Sequence, residues 1–228
     1  MHYELLVFDL EGTLADPLPA TIGILNFLAE GRGLTGLRRH DAARLADRSA
    51  AGLARQLPLC AWRRRQVARR IESLLPREVD AIGLRDGIEA TLGDLARRGR
   101  RIAVVSRWPG AAARSLLGDR LVAAIDHLEP GRPLVSGRRR LARVLDAFDV
   151  RPCRALHVSD RCEDAGLARS LGMSVGAAAW GRTAIDRLRS LSPEEIFHAP
   201  DELLRLSDPC ARGSRSARTA SGRIAHRA

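Results

Sequence analysis

The sequence contains no lysine. All 38 lysine and arginine positions among its 228 residues are arginine, and they are spread along the whole chain. Without lysine the chain has no Walker-type phosphate loop, no pyridoxal phosphate Schiff base and no other lysine imine. The formal net charge of +11 favours anionic substrates in general, but charge alone names no partner.

Cysteine and long apolar runs are also scarce. The four cysteines, Cys60, Cys153, Cys162 and Cys210, form no CxxC pair and no Cys/His cluster, so neither a zinc site nor a disulfide framework is indicated. No stretch reaches the roughly 18 uncharged apolar residues that a membrane span needs, and the first residues lack the basic start of a signal peptide. We therefore expect a cytoplasmic protein with reduced thiols and no membrane partner.

Short apolar segments alternate with amphipathic ones along much of the chain. The pattern predicts strands at 5–8, 101–105, 121–125, 155–158 and 174–178, and helices at 87–98, 138–148 and 163–171. Such alternation is typical of a parallel sheet that helices cover on both faces. We predict a doubly wound α/β core over residues 1–15 and 83–206, with a sheet of five or more strands that ends at 174–178.

Residues 16–82 interrupt this alternation. Three segments, ATIGILNFLAEG, DAARLADRSAAGLARQL and WRRRQVARRIESLL, have helical periodicity and no strand signal of comparable strength. An insertion directly after the first strand would stand over the carboxyl ends of the sheet, where open α/β sheets bind ligands. We predict a helical cap domain over 16–82. Residues 207–228 are small, polar and rich in arginine, which predicts a disordered tail.

Two carboxylates follow the first strand. In VFDLEGTLAD, Asp9 ends the strand, Glu11 comes two residues later, and Gly12 and Thr13 follow. A strand end and a tight turn can hold one carboxylate for attack on phosphorus, while a second one protonates the leaving oxygen and later activates water. The segment resembles the DxDGT signature of the haloacid dehalogenase superfamily, with Glu11 in place of the second aspartate.

Two further segments resemble the same superfamily in order and spacing. RIAVVSRWPG ends an apolar strand at Ser106, where the superfamily keeps a hydroxyl that holds a phosphoryl oxygen. Taken alone, a serine after a strand is more often a turn or helix-cap residue. ALHVSDRCEDAGLARSLGM resembles the VGDSxxDxxAAxxAGM segment, with Asp160 and Asp164 at its acidic positions, from which both can point at one hard cation. Asp160 and Glu163 also have the spacing of a helix capping box, which leaves Asp164 without a role.

The lysine that the superfamily places ahead of the next helix is missing. In GRPLVSGRRRLARVL, either Arg138 or Arg132 would have to replace it, and a planar guanidinium is not equivalent to an ammonium group. A solvated helix start is an equally good interpretation of this stretch. Glu11 and Arg161, which stands beside the predicted metal site, are two further departures from the superfamily pattern.

The resemblance, nearest to phosphoglycolate phosphatases, implies magnesium-dependent hydrolysis of a small phosphorylated metabolite through an aspartyl-phosphate. It implies Asp9, Glu11, Ser106 and Arg138 as catalytic residues, Thr13, Ser106 and Arg107 as substrate-binding residues, and Asp9, Glu11, Asp160 and Asp164 as ligands of Mg²⁺. A catalytically decayed binding or regulatory module is the alternative that the three departures leave open. Nucleic-acid binding by the tail is a weaker idea, because the tail lacks aromatic residues for base stacking.

Overall fold

The computed structural model of the chain describes residues 3–45 and 48–207, so the predicted tail lies almost entirely outside the described residues. The strands are β1 (Leu5–Asp9), β2 (Ala15–Asp16), β3 (Gly83–Leu84), β4 (Arg101–Val105), β5 (His127–Glu129), β6 (Ala155–Ser159), β7 (Ser174–Ala178) and β8 (Glu195–Phe197). The α-helices are α1 (Leu18–Glu30), α2 (Arg39–Ala43), α3 (Ala50–Ala54), α4 (Ala61–Leu74), α5 (Ile88–Arg97), α6 (Gly110–Ala124), α7 (Gly137–Phe148), α8 (Cys162–Ser170) and α9 (Ile185–Arg189). Stretches of 3₁₀ helix lie at Leu75–Arg77, Val79–Ala81, Pro152–Arg154 and Pro200–Ser207. None of the helices in these ranges combines the length and the apolar character that crossing a membrane requires.

Six of the described strands form one parallel sheet in the order β5-β4-β1-β6-β7-β8. β1 lies near the middle, and its residues face β4 on one side and β6 on the other, with Asp9 opposite Val105 and Phe8 opposite Val158. Every pair of neighbours in this sheet is parallel, as crossover connections through helices require. The predicted doubly wound α/β core is confirmed.

Helices cover both faces of the sheet because β1 is apolar at four consecutive positions. Leu6 and Phe8 point into one apolar cluster, with residues of α5, α6 and the helical insertion. Leu5 and Val7 point into the other, with residues of α7 and α8. Side chains alternate between the faces along a strand, and burying each one contributes about 1.5–3 kcal/mol.

Two strand predictions are wrong. Residues 121–124 complete α6, where Leu121 is buried on the inner helix face, so the apolar run at this point reflects a helix face rather than a strand. The strand itself, β5, lies at the edge of the sheet and consists of a single leucine between His127 and Glu129, so it has no apolar run to reveal it. The strand at 174–178 is also not the last, since β8 extends the sheet beyond it.

The helical insertion leaves and rejoins the core at one point. β2 and β3 pair antiparallel, with Asp16 opposite Gly83, and helices α1 to α4 lie between them. Arg85 reinforces this ladder, since its Nε donates to the carbonyl of Gly12 over 3.1 Å and its Nη2 lies 3.5 Å from Asp16 Oδ1. The middle helical segment contains two short helices, α2 and α3, instead of one. The division into a cap over 16–82 and a core stays a prediction, which this ladder supports.

Candidate active site

The carboxyl ends of β1, β4 and β6 meet at one edge of the sheet. Asp9 is the last residue of β1 and lies opposite the last residue of β4, so Ser106 follows beside it. Asp160 follows the last residue of β6, the other neighbour of β1. All three side chains are buried. The structure therefore brings together three of the predicted site residues at the edge where open sheets bind ligands.

Asp9 is a buried carboxylate with one unsatisfied oxygen. Its Oδ2 has no hydrogen-bond partner within the described residues. Burial raises the pKa of the Asp9 carboxyl well above its usual value, and the nearby Asp164 and Glu11 carboxylates raise it further, whereas Arg107 opposes the rise. A buried polar group without a partner is costly, and such groups with shifted pKa values concentrate at functional sites.

The Glu11 carboxylate lies among donors that follow β4. The Ser106 hydroxyl donates to Glu11 Oε1, and the backbone N–H groups of Arg107 and Trp108 donate to the same oxygen over 3.1 and 3.3 Å. The Nε of Arg107 donates to Glu11 Oε2 over 3.3 Å. A hydroxyl, two amides and a guanidinium directed at one point form an anion-binding site. We call these donors of Ser106, Arg107 and Trp108 the anion cradle.

The Asp160 carboxylate is held by Arg182, which follows β7. The backbone N–H of Arg182 donates to Asp160 Oδ2 over 2.8 Å, and the Nε donates to the same oxygen over 3.1 Å. The Nη2 of this guanidinium also donates to the backbone carbonyl of Glu11. Burial alone would raise the pKa of the Asp160 carboxyl, but the charge and hydrogen bonds of Arg182 lower it below its usual value. Thr13 fixes Asp160 from the other side, where its Oγ1 accepts from the backbone N–H over 3.0 Å.

A cavity of about 580 Å³ opens between this edge of the sheet and the helical insertion. Five arginine side chains contribute to its walls, namely Arg55, Arg107, Arg161, Arg182 and Arg187. Glu11 also borders this cavity, whereas Asp9 and Ser106 border a much smaller one of about 20 Å³. Arg107 borders both cavities and therefore lies between Asp9 and the larger one.

Comparison with known proteins agrees with this geometry. The model of the haloacid dehalogenase-like hydrolase family matches residues 3–172. The chain belongs to this family. A phosphoglycolate phosphatase of Synechococcus elongatus is 25% identical to it over 89% of this chain and 96% of its own length. A phosphoglycolate phosphatase of Rhodospirillum rubrum is 27% identical over 90% of this chain and 92% of its own length.

Solved structures share the fold of this chain. A haloacid dehalogenase-like hydrolase from Streptococcus pneumoniae superposes with a TM-score of 0.73 and 18% identity, over 89% of this chain and 97% of its own. A putative phosphoglycolate phosphatase from Lactobacillus delbrueckii gives a TM-score of 0.74 and 18% identity, over 90% of this chain and 99% of its own. At this identity the likeness supports the fold alone. The predicted family is confirmed, and the names of the curated relatives agree with the predicted phosphatase class.

Haloacid dehalogenase-like phosphatases generally use Mg²⁺. Three of the four predicted ligands in this chain accept hydrogen bonds from other groups, and the exception is Asp9, whose Oδ2 has no partner among the described residues. The Asp160 carboxylate and the Glu11 carbonyl both accept from Arg182. The Oδ2 of Asp164 accepts from the Ser159 hydroxyl over 3.0 Å. Within residues 3–45 and 48–207, no three His, Cys, Asp or Glu side chains form a group that could hold a metal ion. Mg²⁺ demands near-octahedral oxygen ligands, so the donor set as arranged does not fit the ion.

The structure does not bring Arg138 into this hydrolase site. Arg138 is exposed in the first turn of α7, and no hydrogen bond or ion pair joins it to Asp9 or Glu11 in the described part of the chain. Its position fits the interpretation of a solvated helix start. Arg107 supplies a cation here instead. Burial alone would lower the pKa of its guanidinium, but the charges of Glu11 and Asp9 raise it above its usual value.

Arg182 is a site residue that was not predicted from the sequence, as is Trp108, whose backbone N–H belongs to the anion cradle. β7 pairs with β6, so residues 179–182, just after β7, lie at the same edge of the sheet as Asp160. An arginine four residues beyond a predicted strand, at the edge where ligands bind, was an available signal. Trp180 helps to fix this loop, since its Nε1 donates to the carbonyl of Thr13 over 2.8 Å.

Proposed function

We propose that the chain hydrolyses a small phosphate monoester, such as phosphoglycolate, through an aspartyl-phosphate on Asp9. The observation that carries this proposal is the unpartnered Oδ2 of Asp9 next to the anion cradle. Phosphoryl transfer needs mainly positioning and electrostatic stabilisation, and these two neighbouring strand ends offer a nucleophile and donors for the phosphoryl oxygens.

In the first step, the substrate phosphate displaces the Glu11 carboxylate from the anion cradle and accepts hydrogen bonds from Ser106 and the two amides. An oxygen of Asp9 attacks phosphorus, and the bond between phosphorus and the ester oxygen breaks. On leaving the cradle, Glu11 takes up a proton from the solvent, and it then gives this proton to the leaving oxygen, so that the alcohol departs neutral. The products of this step are the free alcohol, an aspartyl-phosphate on Asp9 and an ionised Glu11.

In the second step, water attacks the phosphorus atom of the aspartyl-phosphate. The Glu11 carboxylate takes a proton from the water, and the bond between phosphorus and the Asp9 oxygen breaks. Inorganic phosphate leaves, Asp9 is again a carboxylate and Glu11 is again protonated. Arg107, 3.3 Å from Glu11 Oε2, supplies positive charge to the phosphoryl group in both steps.

The walls of the large cavity favour a substrate with more than one anionic group. Guanidinium groups bind carboxylate and phosphate through paired hydrogen bonds, and five arginines border this cavity. Phosphoglycolate, the substrate in the names of the curated relatives, carries one phosphate and one carboxylate. Residues of the helical insertion, including Thr21 and Arg55, also line the cavity, so we assign the choice of substrate to the insertion.

No step of this mechanism uses Mg²⁺, because the donor set described above does not fit the ion as arranged. The magnesium dependence that the resemblance implies is therefore left out of the proposal, and a cytoplasmic location stays a prediction from the sequence.

A binding module without turnover is the second candidate. Glu11 on the anion cradle and Arg182 on Asp160 favour it, because Glu11 occupies donors that a substrate phosphate would need and Arg182 occupies oxygens that a metal ion would need. Such a module would bind small phosphate esters in the same cavity and release no phosphate.

Phosphate release from a panel of small phosphate esters tests the proposal, with parallel assays in Mg²⁺ and in a chelator. We expect turnover by the wild type and a loss of about 1,000-fold or more in Asp9→Asn, which keeps the size of the side chain but removes the nucleophile. Asp146→Asn, on the exposed face of α7, is the matched control and should keep full turnover.

Full turnover in Asp9→Asn would refute the aspartyl-phosphate mechanism. Ester binding by a wild type that releases no phosphate would favour the binding module. Activity that appears only in Glu11→Asp would show a decayed phosphatase with an intact scaffold.

A further inference from the structure

Arg182 contacts groups of two of the four residues that the family resemblance assigns to a metal ion, namely Asp160 and Glu11. Its backbone N–H and Nε donate to Asp160 Oδ2 over 2.8 and 3.1 Å, and its Nη2 donates to the backbone carbonyl of Glu11. A cation that bridged Asp160 and this carbonyl would contact the same oxygens. The guanidinium therefore lies where such a cation would lie.

The surrounding loops are shaped around the pair of Asp160 and Arg182. A Cβ at Gly181 would overlap the Cβ of Asp160, and a Cβ at Gly12 would overlap the Nε of Arg182. Arg48 of the helical insertion holds the same loop, since its guanidinium donates to the Gly181 carbonyl and its backbone N–H donates to the Arg182 carbonyl over 3.2 Å. Two glycines make room for the pair and one arginine fixes its loop.

Burial makes this pair hard to separate. Asp160 has no exposed side-chain surface, and only 10% of the Arg182 side chain is exposed. A divalent ion would have to expel the guanidinium from its carboxylate and would leave a second buried cation beside itself. Breaking a buried ion pair in this way is strongly unfavourable, because the group left behind keeps its charge without a partner.

We propose that the guanidinium of Arg182 replaces the divalent metal of this active site, so that the site does not take up Mg²⁺. The guanidinium neutralises Asp160, and because Arg182 also borders the large cavity it presents its positive charge to a phosphate ester bound there. Only this catalytic consequence rests on the proposed function. The replacement of the metal is a property of the folded chain and can be measured without turnover.

Titration of the full chain with Mn²⁺, followed by electron paramagnetic resonance with Mg²⁺ as competitor, is the direct test. We expect no saturable one-site binding by the wild type at millimolar concentrations. Arg182→Ala frees Asp160 and the Glu11 carbonyl, and it should bind Mn²⁺ at least about 100-fold more tightly than the wild type. Mg²⁺ should also raise the melting temperature of Arg182→Ala and leave that of the wild type unchanged, because only the variant binds the ion in its native state.

Two matched variants locate the effect. Arg187→Ala removes another arginine from the same cavity wall and leaves the ion pair intact, so its Mn²⁺ titration should match that of the wild type. The double variant Asp160→Asn/Arg182→Ala should lose the site that Arg182→Ala gains. If Arg187→Ala gained Mn²⁺ binding as Arg182→Ala does, the gain would be a general effect of removing positive charge, and the proposal would be overturned.

Saturable Mn²⁺ binding by the wild type would also overturn it, as would a folded Arg182→Ala that binds no better than the wild type. If Arg182→Ala does not fold, the wild-type titration decides by itself. Absence of phosphate release by the wild type would refute the proposed function. It would not affect the proposal about the metal, which the Mn²⁺ titration tests independently.

Discussion

The Glu11 carboxylate accepts a hydrogen bond from the Ser106 hydroxyl, across the adjacent ends of β1 and β4. In this contact the Glu11 side chain occupies hydrogen-bond donors that we assign to the substrate phosphate. In the proposed mechanism, a phosphate ester competes with Glu11 for the anion cradle, and the displaced Glu11 protonates the leaving oxygen. Under this proposal, one side chain occupies the empty cradle and later supplies the acid.

Replacing Glu11 by glutamine should tighten the binding of inorganic phosphate by about 10-fold. A neutral amide competes less well than a carboxylate for hydrogen bonds that are worth roughly 1.5–3 kcal/mol when one partner is charged. Ser106→Ala should weaken phosphate binding by about the same factor, since it removes one donor of the cradle. Isothermal titration calorimetry measures both changes.

Ser170→Ala is the control for this pair of variants. Ser170 is exposed at the end of α8, where its hydroxyl donates to the carbonyl of Leu167, so the phosphate affinity of Ser170→Ala should equal that of the wild type. Equal phosphate affinity in the wild type and in Glu11→Gln would contradict the assignment of the cradle to substrate.

His157 predicts a pH dependence of stability. It lies within β6, and neither ring nitrogen has a hydrogen-bond partner among the described residues. Burial lowers the pKa of the imidazole below its usual value of 6.5, although Asp164 opposes the shift. Between the lowered pKa and 6.5 the native state binds fewer protons than the unfolded state, so the stability of the wild type falls as the pH falls through this window.

His157→Leu should therefore raise the free energy of unfolding by about 1–2 kcal/mol at acidic pH and by less above neutrality. Urea unfolding at a series of pH values measures this difference. His198→Leu, at an exposed position, should keep the pH slope of the wild type. A His157→Leu variant with an unchanged slope would show that this imidazole titrates normally in the native state.

The sequence was sufficient for the parts of the molecule that depend on local pattern. Apolar runs located β1, β4, β6 and β7, and the order of strands and helices implied the doubly wound sheet. Because the carboxyl ends of neighbouring parallel strands share an edge, Asp9, Ser106 and Asp160 could be placed together before any coordinates. β5 was not predicted, because this edge strand of three residues contains no apolar run.

The parts that the sequence did not reveal depend on which distant side chains fill the same space. Arg182 lies 22 residues beyond Asp160, and only the folded loop, with Gly181 packed on Asp160, brings its guanidinium to the carboxylate. Arg138 and Arg107 show that a position in the sequence does not by itself place a side chain in the site. Sequence position made Arg138 the candidate for the missing lysine, but the helix start exposes it, whereas the turn after β4 places Arg107 beside Glu11.

Two glycine-to-alanine substitutions separate a steric requirement from a general effect of glycine. Gly181→Ala should destabilise the fold by about 1–3 kcal/mol, because the new methyl group would overlap the Cβ of Asp160, which is fixed to the backbone and cannot rotate away. Gly166→Ala, within α8 and with no neighbouring atom within 4 Å of the new Cβ, should stabilise the fold by about 0.5–1 kcal/mol, since alanine is the better helix former. Urea unfolding with unchanged m-values measures both. If Gly181→Ala were as stable as the wild type, the loop could adopt another position, and the close packing that holds Arg182 on Asp160 would no longer be required by the fold.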